Sequence, residues 1–362
     1  LPRREDFNGA DQEGIGYFQT TSRNGRRCST AVGYLRPTRG RKNLHIVTHA
    51  LAHRIVFEGR RAAGVEFLHQ GRIKLARAGG EVVLAAGAIN SPQLLELSGC
   101  GQAERLNGFG IPVILDAPQV GENLQDHLQV RMVFRCKKPI TLNDQYRNLF
   151  RRVGIGLRYA VQRKGPLAVS AGYGTAFFRS DDRIATPDIQ IHFIIFSTDR
   201  MGQKLHPFPG FTASVCHLRP ESRGTIHLRS ADPSQSPSIR VNYLSTDEDR
   251  RAVVDGLKFL RSIMQAPAML DYASEEIEPG LACASNQDLL AYCRAKGSTI
   301  YHPSGTCRMG VDPGAVVSPD LKVKGLSGLR VADGSIMPQL VSGNTNAAII
   351  KKRKKASDLI LG

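Results

Sequence analysis

The 362 residues are 41% hydrophobic and 22% charged, a balance that fits one large globular domain or two of usual size. No stretch approaches the roughly eighteen uncharged apolar residues of a membrane-spanning helix, and Leu1-Pro-Arg-Arg lacks the following apolar run of a signal peptide. The net charge of +17 is scattered through nearly every segment without a nucleic-acid motif, so it reads as a basic solvated surface, with no specific nucleic-acid partner expected.

Residues 1–42 are rich in Gly, Arg and Asn, with a turn signal at Asn24-Gly25 and a short helix expected from Ser29 to Leu35. From residue 43 the pattern turns β-prone. Runs at 44–50, 54–58 and 63–68, with turns at Glu58-Gly59 and Gln70-Gly71, predict an antiparallel meander. Gly80-Glu-Val-Val-Leu-Ala-Ala-Gly87 is a continuous apolar run, as expected for a parallel strand covered on both faces. A helix should follow to Gly99, with Ser91 as N-cap, Pro92 at its first position and Gly99 closing it. Strand, glycine turn and helix form the building block of a nucleotide-binding α/β domain, and Ala85-Ala-Gly-Ala88 would let a phosphate or sugar approach the backbone.

Beyond Val120-Gly-Glu-Asn-Leu-Gln-Asp-His127 come strand-like runs at 129–134, 189–196, 210–218 and 224–228 and a helix at 247–264, read as a separate antiparallel-sheet domain. The boundaries expected are an N-terminal segment at 1–42, a cofactor domain built from 43–121 and 296–362, and a substrate domain at 122–295. Asp126-His127 invites a dyad reading, but neighbouring strand residues point to opposite faces, so the pair is read as a hinge. No G-x-G-x-x-G turn occurs in the right context, which reads as an N-terminal truncation of an incomplete Rossmann-like fold.

The C-terminal quarter carries the chemistry. Tyr301-His-Pro-Ser-Gly-Thr-Cys-Arg-Met-Gly310 places a histidine just before a proline and a tight turn, the setting of a fixed general base. Gly328-Leu-Arg-Val-Ala-Asp-Gly-Ser-Ile-Met-Pro338 reads as a short strand ending in a turn. Gly343-Asn-Thr-Asn346 opens the last helix, whose free N–H groups favour negative charge. Cys307 reads as a packed small residue. The seven cysteines are odd in number and form no C-x-x-C pair, pointing to reduced thiols and a cytoplasmic location, with peripheral membrane attachment left open. His45, His49 and His53 share one face but have no acidic or cysteine companion, so no metal is expected.

With these blocks in their order, the chain resembles the glucose–methanol–choline (GMC) oxidoreductases, closest to choline-dehydrogenase-like members. The anchors are Gly87-Ala-Ile-Asn-Ser-Pro-Gln-Leu-Leu-Glu-Leu-Ser-Gly-Cys-Gly101, Val120 to His127, the His302 block, and the stretch from Asp333 to the Asn-Thr-Asn run. The resemblance implies a mixed α/β fold, an FAD cofactor, and oxidation of a small alcohol's CH–OH group. By the same resemblance His302 is the base that takes the hydroxyl proton as hydride leaves for flavin N5, and Asn344 holds the substrate oxygen. It likewise assigns cofactor contacts to Ala52, Ala86, Gly87, Asp333, Gly334 and Thr345. The chain departs from the family at Lys351-Lys-Arg-Lys-Lys355, where apolar residues are usual on a helix that packs under the flavin. The alternative expectation is a catalytically incompetent fragment whose basic surface binds polyanions.

Overall fold

The structure, a computed structural model, describes residues 1–200 and 202–362. They form two units of mixed α and β structure. The first combines Leu1–Ile46, Leu128–Leu218 and Arg250–Ser298. Its antiparallel sheet runs in the order Gly14–Tyr17, Gly172–Phe178, Ile189–Ile194, Gly210–His217, Leu128–Cys136, Ala273–Glu278. The Gly210–His217 strand is buried at every residue, as a central strand covered on both faces should be. Helix Asp247–Met264, at the bounds its pattern predicts, lies against this sheet from Arg250 onward. Gly256 permits the approach, since a Cβ there would come within 2.5 Å of Val215 Cγ1. Val253, Leu257 and Leu260 supply the helix's apolar face.

The second unit combines Val47–His127, Arg219–Asp249 and Thr299–Gly362. A three-strand antiparallel meander is present, but as Ala50–Glu58, Arg61–His69 and Arg72–Arg77; the expected runs at 54–58 and 63–68 fall in its first two strands, and the third was not expected. The expected parallel strand is Val82–Leu84, whose partner is Leu329–Val331. Its core includes Val82, Leu84, Leu95, Val317, Val331 and Ile336. Buried Arg330 sits on the partner strand and grips Glu81 with two hydrogen bonds, at 2.6 and 3.1 Å. A bidentate pair of this kind holds the strand ends in register.

Four sequence expectations need correction. The run at 44–50 is irregular up to Ala50, where the strand starts; Ile46 and Val47 are exposed and have no sheet neighbour to satisfy their backbone. The 224–228 run does not join the antiparallel sheet, because Thr225–His227 pairs with Ser238–Arg240 in the second unit. Val83 is 40% exposed, so the Val82–Leu84 strand is covered on one face only. Finally, the helix spans Gly87–Leu97 and begins four residues before Ser91, which is therefore no N-cap. Pro92 then lies inside the helix and lacks the N–H that would bond the Ala88 carbonyl. Thr306 fills that gap: its hydroxyl donates to Ala88 O at 2.6 Å.

Candidate active site

The segment carrying His302 is irregular and is held by other parts of the second unit. Gln125 pairs with Ser304 through both backbone groups, at 3.0 and 2.9 Å. Further along, Gly305, Cys307 and Met309 donate their N–H groups to the carbonyls of Gly334, Ser335 and Ile336. Gly305 is required at its position: its φ is +90°, and a Cβ there would lie 2.5 Å from Asn123 O. The Gln125 side chain meanwhile donates to Pro338 O and accepts from Leu340 N, both at 3.1 Å. One buried glutamine thus ties the His302 block to the strand of chain leading to Asn344.

Asp126 organises the histidine itself. Its buried carboxylate accepts the backbone N–H of His127 at 3.0 Å and of His302 at 2.9 Å, and the hydroxyls of Tyr243 and Thr299. His127 Nδ1 lies 2.9 Å from His302 Nδ1, with the rings nearly perpendicular. One proton can occupy that contact. When His302 supplies it, the lone pair of His302 is left on Nε2. The Nε2 atom itself makes no hydrogen bond among the described residues. Burial pushes the His302 pKa below its ordinary value, and the Asp126 charge partly opposes this. A half-buried imidazole that stays neutral near pH 7 can accept a proton.

Sequence reasoning set the Asp126-His127 pair aside on a strand-alternation argument. The strand starts only at Leu128, so the alternation does not apply, and both residues reach His302. The pair does coincide with the division between units, which falls after His127. The only signal in the sequence was the acidic–histidine doublet itself.

Asn344 is exposed at the first position before helix Thr345–Leu361, and its side chain makes no capping bond. Thr345 is buried beside it. Asp333 and Gly87 come together across the sequence. Asp333 Oδ2 accepts Gly87 N–H at 2.9 Å and the Ser91 hydroxyl at 2.6 Å, while Oδ1 accepts Ser335 N–H at 2.8 Å. Asp333 therefore locks the strand-end turn to the helix start through both oxygens. Gly334 is buried, with Ile349 Cδ1 3.3 Å from where its Cβ would be. Ala52 is half-buried against the core of this unit. Ala85 and Ala86 are exposed, and Gly87, at φ +86°, has open space where a side chain would project. That bare turn beside the exposed Val83 fits a ligand needing close backbone approach.

On the Thr345–Leu361 helix, Lys351 is exposed, Lys352 half-buried, and Arg353 reaches the Ala85 carbonyl at 3.4 Å. Burial alone pushes the Lys352 pKa down. Cys307 is fully buried, and burial raises its thiol pKa, consistent with a packing role.

Residues 1–129 and 220–351 match two models that both carry the description GMC oxidoreductase. An alcohol dehydrogenase [acceptor] of Pseudomonas putida is 41% identical over 98% of this chain and 65% of its own length. An oxygen-dependent choline dehydrogenase of Pectobacterium carotovorum is 42% identical over 99% of this chain and 64% of its own. Among solved structures, a formate oxidase of Aspergillus oryzae studied for modification of its FAD superposes with a TM-score of 0.87 at 26% identity, covering 94% of this chain and 64% of that one. The chain thus spans about 65% of the length of the curated relatives it matches.

Proposed function

Since this chain belongs to the GMC oxidoreductase family, we propose that it carries the proton-handling part of an FAD-dependent oxidation of a small alcohol. The observation that carries this reading is the Nδ1–Nδ1 contact between His127 and His302: when His302 supplies its proton, the lone pair is on Nε2, which no described residue bonds. FAD, when bound, supplies the acceptor for the hydride of the carbinol carbon. His302 takes the hydroxyl proton at Nε2 and returns it later. The resulting imidazolium keeps its Nδ1–H bonded to neutral His127, while Asp126 lies close enough to favour the positive ring. The Asn344 amide donates to the developing alkoxide without competing for the proton.

The second unit holds the cofactor in this assignment. Ala86 and Gly87 provide the backbone approach, with Ala52, Gly334 and Thr345 as further contacts. Asp333 acts by shaping the Gly87 turn, since its oxygens are already engaged. The test is flavin retention and bleaching by primary alcohols. A His302→Ala protein should keep its flavin and lose about a thousandfold or more in turnover. Turnover within a fewfold of wild type would overturn the base assignment.

A further inference from the structure

The Leu149–Gln162 helix has no buried residue, and its outer face is apolar. Phe150, Val153, Leu157 and Val161 recur at spacings of three and four residues, so they lie on one stripe. They are 87, 61, 63 and 74% exposed. Ile155 and Tyr159, on the opposite side, are half-buried and turn towards the protein. The apolar surface continues into the turn after the helix, where Leu167 and Val169 are exposed. Arg151 and Arg158 flank the stripe along one side.

The charge of this region is one-signed. Between Asp144 and Asp181 there is no acidic residue, while Arg147, Arg151, Arg152, Arg158, Arg163 and Lys164 lie on or next to the helix. An amphipathic helix with an apolar stripe and an arginine border is the form that lies in a bilayer interface. At 14 residues it is too short to span one, and no helix among the described residues is long and apolar enough to cross a membrane. Self-association through the stripe would pair two cationic helices with no acidic residue between Asp144 and Asp181 of either copy to offset them.

We propose that the Leu149–Gln162 helix docks the protein on an anionic lipid surface, with Phe150, Val153, Leu157 and Val161 entering the headgroup–acyl boundary and the arginines pairing with lipid phosphates. Co-sedimentation with vesicles of phosphatidylcholine containing about one-third phosphatidylglycerol, against phosphatidylcholine alone, tests it. Binding to the anionic vesicles should be about tenfold or more the stronger, and should weaken with salt. The double variants F150S/L157S and R151Q/R158Q should each lose about tenfold in binding. All four side chains are exposed, so unchanged circular dichroism should certify the fold. Three results overturn the proposal: wild-type protein that does not sediment with anionic vesicles, F150S/L157S binding as wild type, or a dimer abolished by F150S/L157S in protein that ignores vesicles.

Discussion

Asp126 offers the sharpest check on how the His302 segment is held. Its carboxylate accepts two backbone N–H groups that cannot turn away, from His127 and His302, and two hydroxyls that can. Replacing it with alanine strands the two buried N–H donors at about 1–3 kcal/mol each, so Asp126→Ala should cost about 4 kcal/mol. Asp126→Asn keeps a carbonyl oxygen for those donors and loses only charge assistance, which should cost about 1–2 kcal/mol. Urea unfolding followed by circular dichroism measures both. A second readout follows from electrostatics. The Asp126 anion favours the imidazolium form of His302, so Asp126→Asn should move His302 titration to still lower pH, as read from its ring protons by NMR. The alanine variant within about 1 kcal/mol of wild type, or a His302 pKa that rises in Asp126→Asn, would refute the reasoning.

Glu96 is buried and bonds His227 Nδ1 and Leu228 N, both at 2.8 Å; Glu96→Ala strands these two partners at about 1–3 kcal/mol each and should destabilise by about 2–5 kcal/mol, measured as a shift in the urea midpoint. Lys352→Met should stabilise by about 0.5–1 kcal/mol near pH 7, a modest gain because half the side chain reaches water. Its folded-state pKa is lowered, so the penalty of the charged lysine is full below that pKa and vanishes as pH rises towards the ordinary lysine value; the gain should shrink along the same course in pH-dependent melts. Cys28 and Cys283, half-buried, should be alkylated first in native protein, ahead of Cys100 and Cys293, whose thiols burial pushes up to about 12. Peptide mass spectrometry after brief iodoacetamide treatment distinguishes them, and early labelling of Cys307 would contradict its burial.

Local periodicity and residue chemistry were enough to read the Asp247–Met264 helix, the first two strands of the meander, and three strands of the first unit's sheet, Leu128–Cys136, Ile189–Ile194 and Gly210–His217. Each is written in a run of a few residues, with an apolar pattern of period two or three to four closed by turn residues. The block motifs singled out His302, Gly87 and Asp333 as separate positions, and only the fold joins the last two, at 2.9 Å. What stayed hidden depends on partners far apart in the chain. Ser91 looks like a cap until Asp333, 242 residues away, is seen to take its hydroxyl, and Pro92 looks like a helix start until Thr306 is seen to satisfy the carbonyl it orphans. Asp126 and His127 were misread for the same reason: alternation is a rule about strands, and only the folded chain shows that the strand begins one residue later. Residue types and local order are properties of the sequence alone. Which ring nitrogen of His302 is engaged is set by a ring 175 residues distant, and only tertiary packing brings that ring to 2.9 Å.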